Sequence, residues 1–259
     1  MGRAGMGRRV RAAVFSLLLV CVWFAWPAVS PGDTAARAAQ VAFGHVPVLA
    51  YHNVDYSGSE YSVTPEQLDE QCRWLVENGY TAITLHQFWD AATGYGKLPL
   101  NPVLLTNDDG WSSAITFAEI LGRHGMAGTY FLNSVSPLTA DQISLLSQLG
   151  SVQAHTKTHA HLSGLDYEGQ LAEISENKSY LEAITGQPVQ FLAWPFGDRN
   201  ESAVQAAAAA GILGAFGLGG VTADLLAIDS YHIPRVVMGP GDDLPTFAAK
   251  VGGWSAEGS

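Results

Sequence analysis

The stretch Val103-Leu104-Leu105-Thr106-Asn107-Asp108-Asp109-Gly110 sets the fold of this chain. Three consecutive aliphatic residues followed by threonine read as a short strand buried on both faces, the kind found in parallel sheets. The run ends on two adjacent carboxylates and a glycine. Taken alone, Asp108, Asp109 and Gly110 also fit a plain turn with a helix cap. Two neighbouring carboxylates after a buried strand repel each other, however, and a bound cation would offset that cost.

The same alternation of short apolar runs and helical patterns continues on both sides of this stretch from Val46 onward. It predicts strands over 46–51, 81–85, 103–106, 128–132, 151–154, 189–193, 213–216 and 233–237. Strands separated by helices imply parallel pairing through crossovers, so the expected fold class is α/β, a distorted (β/α) barrel of seven or eight parallel strands. The helices carry their own signals. Thr64 and Pro65 open one whose apolar face is Leu68, Cys72, Leu75 and Val76 and which stops at Gly79; others run from Thr139 to Gly150, from Tyr167 to Ile184 and from Asn200 to Gly211.

In such folds functional residues gather at the carboxyl ends of the strands. Three polar groups sit there: Asp108 and Asp109; His155 and His159, following Val152; and Trp194-Pro195-Phe196-Gly197, following Phe191 and Leu192. A His pair four apart, on a helix or a compact loop, places both imidazoles on one side; the alternative is one structural and one exposed histidine. Two histidines with one carboxylate form a common facial set for a divalent ion. His161 is a third histidine close by, but on an extended segment it points elsewhere and is left out of the set.

With 259 residues, 47% hydrophobic and 14% charged, the chain can bury a sizeable core, and one catalytic domain is the simplest organisation. Residues 1–38 form a separate object. Arg3, Arg8, Arg9 and Arg11 precede an apolar stretch from Ala12 to Val29, the layout of a signal peptide or an N-terminal anchor, with a small-residue cleavage point near Ala38. The expected domain is 39–259, exported, and either secreted or associated with the cell envelope, with the membrane reached only through that anchor. Removal of residues 1–38 takes away five Arg and one Asp and moves the net charge from −11 to −15. So acidic a chain excludes nucleic acid as a partner. Cys72 is then the lone cysteine, expected in the core rather than in chemistry.

The motifs resemble the polysaccharide deacetylase family, also called the NodB homology domain or carbohydrate esterase family 4. Its first motif, Thr-Phe-Asp-Asp-Gly, appears as Thr106-Asn107-Asp108-Asp109-Gly110. Its second, His-Ser/Thr-x-x-His, appears as His155-Thr156-Lys157-Thr158-His159, and its aromatic-Pro-aromatic-Gly motif as Trp194-Pro195-Phe196-Gly197. Pro47-Val48-Leu49-Ala50-Tyr51-His52 is similar to the opening strand of the poly-N-acetylglucosamine deacetylase-like branch. The resemblance covers roughly 46–238.

It implies metal-dependent hydrolysis of acetyl groups on an N-acetylglucosamine-containing polysaccharide by a monomer. Asp109, His155 and His159 are then the metal ligands, and the ion is zinc, or else cobalt or nickel. Asp108 is the general base, the backbone N–H of Phe196 faces the oxyanion, and Trp194 and Phe196 offer flat surfaces to a sugar. The late Leu-x-His motif that supplies the proton donor in many members is absent, so His52 is the expected general acid, with His232 second. Asn107 stands where the family has an apolar residue, and Ala193 where many members carry an Arg that orients the base. Arg235 is expected to replace that charge from another strand, and Asp229 to pair with a histidine. The rival readings are a catalytically silent sugar-binding protein on the same barrel and a glycosidase, which needs two carboxylates flanking a bond rather than two in succession.

Overall fold

The computed structural model describes residues 44–252, together with Gly2. The expected signal or anchor at 1–38 lies outside the described residues, among which no helix is long and apolar enough to cross a membrane. Eight strands form the central sheet: β1 (Val48–Tyr51), β2 (Thr81–Ala82), β3 (Pro102–Asp109), β4 (Gly128–Leu132), β5 (Gly150–Ala154), β6 (Phe191–Ala193), β7 (Gly214–Phe216) and β8 (Val236–Val237). Their order is β7-β6-β5-β4-β3-β1-β8, with β2 beside the start of β3, and every pairing is parallel. A parallel bridge between Phe216 and Ile233 brings the segment leading into β8 back against β7, so the sheet curls into the distorted barrel read from the sequence.

The register explains why the site forms at one rim. Asp109 pairs with Leu132, Leu132 with Ala154, Ala154 with Leu192 and Leu192 with Ala215. The residues that follow each strand, His52, Gly110, Asn133, His155 and Trp194, therefore emerge side by side.

Around the sheet stand α1 (Pro65–Glu77), α2 (Leu85–Ala92), α3 (Ala114–Arg123), α4 (Ala140–Leu149), α5 (Tyr167–Thr185), α6 (Glu201–Ala209) and α7 (Leu244–Gly252). Thr64 and Thr139 close capping boxes with Gln67 and Gln142, satisfying backbone donors at both ends of each exchange. Gly186 ends α5 in the left-handed region at φ 65.

Helix faces and outward strand residues make one apolar layer, from Leu49, Leu105 and Leu132 to Cys72. Val48, Leu104, Phe131, Phe191, Phe216 and Ile233 fill the barrel itself. Cys72 is buried, and burial pushes its thiol up to about 12, as a packing residue should behave.

Three expected strands change their bounds for a local reason, and one expected helix face differs. The run predicted over 81–85 is a strand only at its first two residues, because Thr84 accepts from the Gln87 N–H and caps α2. The run over 46–51 divides at Pro47: His45–Val46 pairs antiparallel with Ala223–Asp224, and only β1 joins the barrel. The run over 233–237 divides at Pro234, which has no N–H to give a ladder. On α1, Val76 is 52% exposed, and Trp74 and Gln71 are buried in its place.

Candidate active site

Alternation along β3 separates the two aspartates. Leu104 belongs to the barrel interior, so Thr106 and Asp108 share its face, while Leu105 belongs to the outer layer. Asp108 accordingly enters the barrel, where it is 2% exposed and meets Arg235, which is fully buried. Arg235 donates from Nη1 to Oδ1 at 2.7 Å and from Nη2 to Oδ2 at 2.6 Å. The same guanidinium donates to Thr106 Oγ1 and to the Gly217 carbonyl, and lies over the rings of Phe131 and Phe216. Burial works to raise the Asp108 pKa, but the charge and hydrogen bonds of Arg235 prevail and hold it below the usual carboxylate range. The charge that Ala193 lacks is therefore supplied by Arg235 from across the barrel.

Asp109 turns the other way. Its φ of 71, unusual for a residue with a side chain, ends the strand and directs the carboxylate to the rim. Of the five described non-glycine residues with positive φ, four belong to the three motifs: Asp109, Thr156, His159 and Phe196. Such backbone persists where its surroundings hold it and gathers at functional sites.

Asp109 Oδ1 lies 3.1 Å from both His155 Nε2 and His159 Nε2. One ligand atom from each of the three residues lies within 4.8 Å of the others, which fits a single ion. The second nitrogen of His155, Nδ1, donates to the Ala193 carbonyl at 2.7 Å, which leaves Nε2 as the ligating atom. The donor set thus suits a divalent metal ion.

Burial alone would lower the His155 pKa, yet the hydrogen bond to Asp109 and the charges of both aspartates raise it. Burial would likewise raise that of Asp109, and the two histidines drive it well down. A cation that binds there competes with the proton that this pairing favours on His155.

A cleft of about 130 Å³ opens on Asp108, Asp109, His155 and His159, walled by His52, Tyr61, Trp194, Phe196, Leu218, Arg235 and Val237. His52 follows β1 directly. Its Nδ1 is buried without a hydrogen-bond partner among the described residues, and burial lowers its pKa against the pull of Asp108 and Asp109. Asn107, unusual at its position, is also buried, and its amide donates to the His52 carbonyl at 2.7 Å, so the departure from the family pattern tethers β3 to this histidine.

Trp194 is 1% exposed and its indole N–H donates to the Tyr231 carbonyl, which makes it a core wall of the cleft rather than a free platform. Phe196 is 55% exposed and is the ring that offers a face. His161, left out of the expected ligand set, stacks on that ring at 4.0 Å and 13°. His232 packs against Gly217 and does not line the cleft. The Asp229 carboxylate accepts from the Tyr231 N–H, not from a histidine.

Three further residues had no place in the sequence reading. Asn177, buried on α5, accepts from the His155 N–H at 3.0 Å and donates to the Leu132 carbonyl, pinning the loop that begins at His155. Asn133 donates to the Asp109 carbonyl at 2.9 Å. Trp111 donates from Nε1 to Asp109 Oδ2 at 3.0 Å. Trp111, next to the Asp-Asp-Gly run, was within reach of sequence reasoning; an asparagine in mid-helix gives no signal.

The parallel α/β barrel thus brings a two-histidine, one-carboxylate cluster and a separately held buried carboxylate together at one rim, an arrangement suited to metal-assisted hydrolysis. Residues 96–215 match the polysaccharide deacetylase family model. It is 28% identical over 230 residues, 85% of this chain and 80% of the relative, to YxkH of Bacillus subtilis, whose name places it among polysaccharide deacetylases. It is 27% identical over 220 residues, 76% of this chain and 74% of the relative, to the poly-beta-1,6-N-acetyl-D-glucosamine N-deacetylase of Staphylococcus epidermidis. The fold matches that of the Streptococcus pyogenes deacetylase PplD with a TM-score of 0.72 at 22% identity, over 80% of this chain and 98% of that one.

Proposed function

We propose that this chain is an exported, metal-dependent deacetylase that hydrolyses the acetamide groups of an N-acetylglucosamine polysaccharide of the cell envelope or its surroundings. The observation that supports the reading is the separation of the two adjacent aspartates: Asp109 lies against His155 and His159 at the rim, and Asp108 is held by Arg235 inside the barrel. Export is supported by the basic and then apolar N-terminus, and the polymer class by the Staphylococcus epidermidis relative.

Asp109, His155 and His159 would hold the ion, which when bound polarises an acetyl carbonyl and makes a water acidic enough to deprotonate near neutral pH. Asp108, ionised across the working range, takes the proton of the attacking water. Phe196, set at φ 59 on the cleft wall, donates its backbone N–H to the oxygen that gains charge. His52 gives the leaving amine its proton. Its lowered pKa makes the imidazolium a stronger acid and thins its population at neutral pH.

A silent sugar-binding protein is disfavoured by the retained pairing of Asp108 with Arg235, and a glycosidase by the engagement of Asp109 with two histidines. The test is acetate release from a panel of β-1,6-linked N-acetylglucosamine oligomers, chitin oligomers and acetylated xylan. Release from the glucosamine polymers is expected. Binding of the same oligomers with no acetate from any of them would favour the silent reading.

A further inference from the structure

Asp109 and His159 belong to two clefts. Besides the one containing His52 and Phe196, they border a second of about 210 Å³, walled by Trp111, Asn133, Val135, Ser136 and Pro137. Apart from the shared Asp109 and His159, nothing on its wall can carry a charge, so it suits a neutral ligand. Val135 is 64% exposed and Trp111 is 48% exposed, leaving an apolar surface open to solvent beside the reacting centre. That surface is held in place. The Trp111 indole N–H is committed to Asp109 Oδ2, Asn133 accepts from the Val135 N–H while donating to the Asp109 carbonyl, and Ser136 Oγ donates to the Gly110 carbonyl. An indole anchored at its N–H edge and exposed elsewhere loses little freedom when a ring settles on it.

We propose that this second cleft is a subsite for the sugar unit next to the one being deacetylated, with Trp111 as its platform. A pyranose has the matching chemistry: neutral, with an apolar C–H face for the indole and hydroxyls for the polar groups around it. The polymer then runs across the cluster, its acetylated unit in the cleft of His52 and Phe196 and its neighbour against Trp111. Recognition of two successive units favours polymer over the free monosaccharide. The choice of sugar as ligand rests on the deacetylase reading; the existence and position of the subsite do not.

The test measures binding of N-acetylglucosamine and of its β-1,6-linked pentamer to the metal-free protein by calorimetry, alongside acetate release by the metal-loaded protein. The wild-type chain is expected to bind the pentamer at least tenfold more tightly than the monosaccharide. Trp111→Ala should weaken pentamer binding about tenfold and leave the monosaccharide unchanged. Trp111→Phe, which keeps a ring but has no N–H, should retain most of the pentamer affinity while losing metal to a chelator more readily, and so separates the platform from the hydrogen bond to Asp109. An unchanged pentamer-to-monosaccharide ratio in Trp111→Ala would overturn the subsite. Loss of that ratio in a protein that releases no acetate would leave the subsite standing and remove the hydrolytic reading instead.

Discussion

Asp108→Asn should lower acetate release by about 10²–10⁴-fold, the range associated with losing a general base. The amide keeps the shape of the carboxylate and can still accept from Arg235, but it cannot take a proton from water. Metal content should stay at the wild-type level, because Asp109, His155 and His159 are untouched. Atomic emission on the purified variant, run beside the acetate assay, separates a lost base from a lost ion. A variant that keeps full turnover would remove Asp108 from the mechanism.

Arg235→Met should cost about 3–5 kcal/mol of stability at neutral pH, the usual consequence of leaving one member of a buried ion pair without its partner. For a domain of this size that corresponds to a fall in Tm on the order of 10 °C. The direction with pH follows from the groups involved. In the native protein Arg235 depresses the Asp108 pKa, so the pair stabilises the fold above the unfolded carboxylate value of about 3.9, and that stability is lost as pH falls through the folded value. In Arg235→Met burial is opposed only by the charges of His155 and His52, and the pKa rises from its native value, so the deficit should be largest at neutral pH and shrink as pH approaches about 4. Thermal melts of the variant from pH 4 to 8 check this. A deficit that does not depend on pH would point to lost packing against Phe131 and Phe216 in place of lost pairing.

How much of this was legible in the sequence depends on whether the signal was local. Thr64 with Pro65 and Thr139 announce helix starts because capping is settled within four residues, and those helices lie where expected. The apolar runs announce strands for the same reason, and the parallel barrel follows from their alternation with helices. Boundaries failed where one residue served two elements, as at Thr84, or where a proline removed a donor, as at Pro47 and Pro234.

Within the site, the candidate trio was legible because Asp109, His155 and His159 sit in short motifs, and the structure brings one donor atom of each within 4.8 Å of the others. The supporting residues come from distant positions. Arg235 lies 127 residues from Asp108, and Asn177 lies 22 from His155. No spacing rule links such residues, since only the register of the barrel makes them neighbours. Nor does the sequence distinguish the buried Trp194 from the exposed Phe196, because both follow the same strand and the difference arises from the turn at Pro195–Gly197.

The central claim, that deacetylation occurs at an ion held by Asp109, His155 and His159, is tested most directly by acetate release from β-1,6-linked N-acetylglucosamine oligomers before and after chelation, followed by titration with zinc. Activity should disappear on chelation and return at one zinc per chain, with no recovery in His159→Ala at the same zinc concentration. Full acetate release from a protein shown to be metal-free would contradict it.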